Sequence, residues 1–147
     1  MTKAEMNLCE SFLILREGVR LSAYKDSGGV ETIGVGHTGA DVKPGEVETL
    51  SQAQAQLRQD LQPIYAYIDA LPNSLAKSKG IDITFTPIDK LALVSFAYNC
   101  GLGALNRVMS GASQLQDFAH DHMGHLLQGL VDDRNFETAC LNASKPD

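Results

Sequence analysis

The stretch Glu17–Gly39, EGVRLSAYKDSGGVETIGVGHTG, decides the reading of this chain. It carries two carboxylates nine residues apart, Glu17 and Asp26, and a hydroxyl, Thr32, six residues further on. An acid, a second acid and a hydroxyl around a glycine-rich turn are the group types that glycosidic bond cleavage needs. One carboxyl protonates the leaving oxygen, the other activates or replaces the attacking water, and the hydroxyl can hold that water in line. Two acids alone would mean little, because solvated carboxylates are common. The string around them is the specific signal.

Working outward toward the N-terminus, Thr2 followed by Glu5 predicts a capping box. Leu8, Phe12 and Leu15 recur at helical spacing, and Gly18 is a natural stop. Glu17 then falls in the last turn of the first helix. The partial negative charge at a helix C-terminus disfavours a carboxylate and pushes the acid toward its protonated form, as a general acid requires.

Toward the C-terminus, Gly28-Gly29 mark a hairpin turn between short extended segments. Opposed residues in an antiparallel pair share a face, and residues two apart along a strand share a face. A two-residue loop pairs Ser27 with Val30 and puts Asp26 and Thr32 on opposite faces. A three-residue loop pairs Asp26 with Val30 and Tyr24 with Thr32, which brings them together. The chemistry therefore predicts a three-residue loop, or a bulge with the same effect.

A polar turn at Lys43-Pro44-Gly45 comes next. Ser51 with Gln54 predicts a second capping box, opening a helix with Leu57, Leu61, Ile64 and Ile68 on one face. Pro63 should kink or interrupt it near Gln62. The run 72–80, PNSLAKSKG, reads as a loop. Thr86-Pro87-Ile88-Asp89 starts another helix, whose body Leu91–Tyr98 is apolar nearly all round and should be buried. Asn99-Cys100-Gly101-Leu102-Gly103 is expected to end it.

Glu17-Gly18, Tyr24-Lys25-Asp26 and Gly29-Val30-Glu31-Thr32-Ile33-Gly34-Val35-Gly36-His37 together resemble the catalytic segment of the bacteriophage lysozymes, the endolysins of glycoside hydrolase family 24. The run from Ala92 to Gly103 is similar to that family's second signature. The stretch Met123–Glu137 matches less well: Asp133 stands where the first arginine of a pair is usual, and His125 where a lysine is usual. The resemblance implies an α+β lysozyme-like fold in a single domain. A small hairpin lobe spans about residues 18–50, a helical lobe about 1–17 and 81–147, and a connecting helix about 51–70, with the active-site cleft between the lobes. It also implies an inverting muramidase cleaving the β-1,4 bond between N-acetylmuramic acid and N-acetylglucosamine. The two carboxyl groups should then lie roughly 6.5–9.5 Å apart with a water between them. Glu17 would be the general acid, Asp26 the base, and Thr32 the holder of the water. No cofactor is implied.

Other residues carry weaker signals. His37 is expected beside the cleft, hydrogen-bonded and partly buried, rather than as a metal ligand or base. Arg134 matches the retained arginine of the family's pair and is the candidate to face Glu17, where it would lower that acid's pKa against the helix-end effect. Asn99 either lines the cleft against a sugar acetamide or caps the buried helix. His120, His122 and His125 lack a fourth ligand at a convincing spacing, so no metal is expected.

Of the 147 residues, 44% are hydrophobic and 20% charged, which suits a folded globular chain and argues against disorder. The formal charge of −6 makes nucleic acid an unfavourable partner and denies the protein electrostatic steering to an anionic wall. Cys9, Cys100 and Cys140 show no CxxC pairing and read as reduced thiols. The apolar run Phe12–Leu15 is too short for a membrane span. The expectation is therefore a monomer without an anchor, held in the host cytoplasm and needing a separate holin-type pore to reach peptidoglycan. The rival readings are a non-catalytic relative that binds wall glycan or a protein partner, and a lytic transglycosylase, which would need no base at Asp26.

Overall fold

The computed structural model describes residues 1–80, 82–118 and 137–138. Its order is α1 (Lys3–Glu17), β1 (Arg20–Lys25), β2 (Glu31–Gly34), β3 (His37–Thr38), α2 (Leu50–Lys79), α3 (Pro87–Ser110) and a short 3-10 turn at Leu115–Phe118. The strands form one antiparallel sheet in the order β1-β2-β3. This is the α+β arrangement expected. The chain divides into two compact units, Thr2–Pro63 and Ile64–Asp147, the latter joined by Met1.

In the first unit, α1 begins at Thr2 with both halves of the capping box made and ends at Gly18. Cys9 and Leu13 of α1, Ile33 and Val35 around β2, Val42, and Ala53, Leu57 and Leu61 of α2 are its buried apolar residues. A further segment lies along β1: the Ala23 amide donates to the Glu46 carbonyl and the Glu48 amide to the Leu21 carbonyl, with Ser22 opposite Val47. Lys43–Glu46 forms the polar turn expected there.

Three expectations are corrected in α2. The cap of α2 is Thr49, not Ser51: the Thr49 hydroxyl accepts from the Gln52 amide, and the Gln52 side chain accepts from the Thr49 amide. Pro63 does not interrupt α2, which runs unbroken from Leu50 to Lys79. Proline removes the hydrogen bond to the carbonyl four residues back, but Pro63 and Gln59 are both exposed, so water can serve that carbonyl. The run 72–79 is helix rather than loop, because Leu71 and Leu75 extend the buried stripe by another turn; Gly80 then ends it, donating to the Ala76 carbonyl.

In the second unit, Thr86 caps α3 with a full capping box to Asp89 and proline in the first turn. Leu91 to Ala97 are all buried, as their composition predicts. The helix is not terminated at Asn99–Gly103. It breaks only at Gly101, whose φ of 85° is left-handed, and resumes to Ser110. Only a glycine takes that angle at little cost, so a single bend replaces the expected stop. Ser95 donates to the carboxylate of fully buried Glu137 at 2.8 Å. Among the described residues no helix is long and apolar enough to cross a membrane.

Candidate active site

Glu17, Asp26 and Thr32 all lie in the Thr2–Pro63 unit, at the end of α1, just after β1 and in β2 respectively. The hairpin settles the parity question. Tyr24 pairs with Thr32, Lys25 with Glu31, and the Asp26 amide donates to the Val30 carbonyl at 2.9 Å. The loop is therefore three residues, 27–29, and its register puts Tyr24 and Thr32 on one face, with Asp26 continuing that face. Closer to the start of β1 the register shifts, so that Arg20 faces Gly34 through a bulge.

Asp26 closes its own turn. Its Oδ1 accepts from the Gly28 and Val30 amides at 2.8 and 2.9 Å, while Oδ2 makes no hydrogen bond among the described residues. One oxygen is thus used to fix the carboxylate's orientation and the other remains for chemistry. A turn-forming aspartate and the candidate site carboxylate are the same residue here.

Thr32 is 2% exposed, and its hydroxyl donates to the Val30 carbonyl at 3.1 Å. With its proton committed, the oxygen keeps lone pairs that can accept from a water.

Glu17 ends α1 with its side chain exposed, yet the protein atoms around the carboxyl withdraw enough water to raise its pKa above the usual 4.5, with neighbouring Arg16 pulling the other way. The direction is the one a helix C-terminus favours, but its main cause is desolvation. Arg134, the expected partner of this acid, lies outside the described residues, as do the histidines at 120, 122 and 125 and Cys140.

His37 stands in β3, opposite Ile33. Its Nδ1 meets Asp60 on α2 at 2.8 Å and its Nε2 meets Asp41 at 3.1 Å. Burial disfavours its charged form, but the hydrogen bonds and charges of Asp41 and Asp60 outweigh that and raise its pKa above 6.5. Gln56 holds the other Asp60 oxygen at 2.9 Å. His37 is thus a clasp between β3 and α2. Its partners are absent from the sequence reading, although Asp60 sits between the core positions Leu57 and Leu61, where a half-buried acid needs a counter-charge.

Gly34, at the end of β2, is a second missed position. It has a φ of 65°, and a Cβ there would lie 2.7 Å from Glu48 Oε1. That buried oxygen has no hydrogen-bond partner among the described residues, and loss of solvent, with Glu46 adding, raises the Glu48 pKa against the pull of His37.

Asn99 is an exposed residue of α3 in the other unit, where its side-chain oxygen accepts from the Cys100 thiol. Cys9 is a buried free thiol whose pKa is pushed up to about 12 by burial and by Glu5 and Glu10; Cys100 is half-buried. Among the described residues no group of His, Cys, Asp and Glu could hold a metal ion.

Residues 15–137 match the phage lysozyme family. The chain belongs to that family. It is 37% identical over 158 aligned residues to the endolysin of Bacillus phage PZA, covering 99% of this chain and 56% of that relative. The chain thus spans little more than half that protein's length. It is 34% identical to the SAR-endolysin of Escherichia phage Mu, covering 88% of this chain and 76% of the relative. The muramidase domain of SpmX from Asticaccaulis excentricus has a similar fold, with a TM-score of 0.68, 26% identity, and coverage of 99% and 97% of the two chains. The phage lysozyme family match covers Glu17, Asp26, Thr32, His37 and Asn99.

Proposed function

We propose that this phage lysozyme family member hydrolyses the β-1,4 bond between N-acetylmuramic acid and N-acetylglucosamine in peptidoglycan, with inversion, and so lyses bacterial walls. The observation that carries the reading is the hairpin register. It places Thr32 on the face that Asp26 continues, and it leaves one Asp26 oxygen without a bond among the described residues.

Each group then has one task. Glu17, biased toward its protonated form, gives its proton to the glycosidic oxygen as the bond to the anomeric carbon breaks. The Thr32 oxygen accepts a hydrogen bond from the attacking water and orients it. Asp26 takes a proton from that water as its oxygen bonds the anomeric carbon, and its charge stabilises the oxocarbenium-like transition state. An inverting enzyme needs room for that water, a carboxyl separation of roughly 6.5–9.5 Å. Exchange with solvent then reprotonates Glu17 and deprotonates Asp26. His37 holds the β3 side of the sheet, and Asn99 and Arg134 are proposed to contact the glycan.

Digestion of purified walls with mass analysis of the products tests this. Reducing ends from the parent, and a loss of at least ~10²-fold for Glu17→Gln with the fold intact, are expected. Anhydro ends would make the chain a transglycosylase, and no products would make it a binding protein. The proposal extends to delivery, supported by the endolysin name of its relative from phage PZA. The enzyme would act as a monomer that accumulates in the host cytoplasm and passes a separate holin-type pore. Fractionation of cells expressing it without a pore checks that point.

A further inference from the structure

Arg20 opens β1 and is exposed. The chain carries 18 acidic and 12 basic residues, so a surface arginine has carboxylates to pair with. Arg58 does so, donating to Glu10 at 3.0 Å. Among the described residues Arg20 forms neither an ion pair nor a hydrogen bond. Its guanidinium instead lies over the Tyr24 ring, 4.3 Å from the centroid.

Three features make that stack a built arrangement. Tyr24 is opposite Thr32, so the ring stands on the face that carries the proposed water-holding hydroxyl. The bulge between Arg20 and Tyr24 shifts the register there, as bulges do when they re-aim a side chain. Neither Glu17, three residues before Arg20, nor Asp26, six residues after it with one oxygen tied to the Gly28 and Val30 amides, forms an ion pair with it among the described residues. A ring under a guanidinium fixes its plane without using its N–H groups, so all five donors remain for a planar anion.

We infer that Arg20, stacked on Tyr24, is a specificity-determining carboxylate clamp that binds an acidic group on the peptide stems of the wall. This rests on the muramidase reading for its substrate. Peptidoglycan stems bear carboxylates beside the glycan, and a guanidinium pairs with a carboxylate through two parallel hydrogen bonds, which a lysine cannot reproduce. In a chain of net charge −6, such a clamp supplies local attraction that the whole protein lacks.

The test compares native walls with walls whose carboxylates have been converted to primary amides by carbodiimide and ammonia. The quantity read is the ratio of kcat/KM on native to amidated wall. For Arg20→Gln this ratio should fall about tenfold, through KM, the scale of one charge-assisted contact. Arg20→Lys should recover only part of it, and Tyr24→Leu should lower it less than Arg20→Gln. An unchanged ratio, whether both walls are cut more slowly or neither is, overturns the clamp. The same ratio is read without turnover by wall sedimentation in a Glu17→Gln background. A parent that releases no reducing ends, while Arg20→Gln still lowers the binding ratio, would remove the muramidase reading and leave the clamp standing. If the binding ratio is also unmoved, both fall.

Discussion

Replacing Thr32 by serine and by valine should move stability and activity in opposite orders. The Thr32 side chain is 2% exposed, so serine loses a buried methyl group, at about 0.8 kcal/mol for the transfer and somewhat more for the space left behind. Valine keeps the volume and loses only the hydroxyl. That hydroxyl donates to the Val30 carbonyl, which also accepts from the Asp26 amide at 2.9 Å, so no buried acceptor is orphaned. The cost of valine therefore belongs at the low end of the hydrogen-bond range, about 0.5 kcal/mol, and its β-propensity offsets part of that. Valine should melt above serine, by about 2–4 °C for each kcal/mol of difference in a chain of this size. Activity should rank the other way. Serine retains the oxygen and should stay within about tenfold of the parent, while valine loses the group that holds the nucleophile, at about 10²–10³-fold in kcat. Thermal melts and release of reducing ends from the same preparations measure both orders. A valine variant as active as the serine variant would refute the water-holding role, and a valine variant destabilised by well over 1 kcal/mol would refute the bonding pattern behind the estimate.

The raised Glu17 pKa keeps its proton to higher pH, so the alkaline limb of the kcat/KM profile should lie above 4.5; Arg16→Gln, which removes the cation lowering that pKa, should move the limb further up, and a downward move would contradict the assignment. The His37 clasp stabilises the fold fully below the ordinary histidine value of 6.5 and loses that contribution as pH rises through the raised folded value, whereas Asp41, held below 3.8, loses its part as pH falls through its own lowered value. The gap in melting temperature between the parent and His37→Gln should accordingly be widest from about pH 4 to 6.5 and narrow above it, and a constant gap would show that the histidine acts only by packing. Thr49→Ala should lower the urea midpoint by the equivalent of about 1 kcal/mol while Ser51→Ala changes it by a few tenths, and the reverse order would move the start of α2.

Local rules made much of this protein readable from its residues. Thr2 with Glu5 and Thr86 with Asp89 satisfy the free amides of a helix start within four residues, so the caps of α1 and α3 are visible in sequence. The hairpin loop was legible too, because side chains alternate along strands and the proposed chemistry needs Asp26 and Thr32 on one face. The same local reasoning misjudged α2. Pro63 and the run 72–80 look like breaks, yet Ile64, Ile68, Leu71 and Leu75 gain more by continued burial than the chain loses at one exposed carbonyl. It also treated Gly101 as an end, where the packing of residues on both sides keeps the helix going past one left-handed residue. The partners of His37 were beyond reach for a different reason. Asp60 lies 23 residues away, and only the folding of β3 against α2 brings a half-buried acid to that imidazole. Backbone alternation and capping act over a few residues and are written in the order of the chain. Desolvation of Glu17, the charge on His37 and the buried oxygen of Glu48 depend on which distant atoms displace water, and that is decided only when the elements pack.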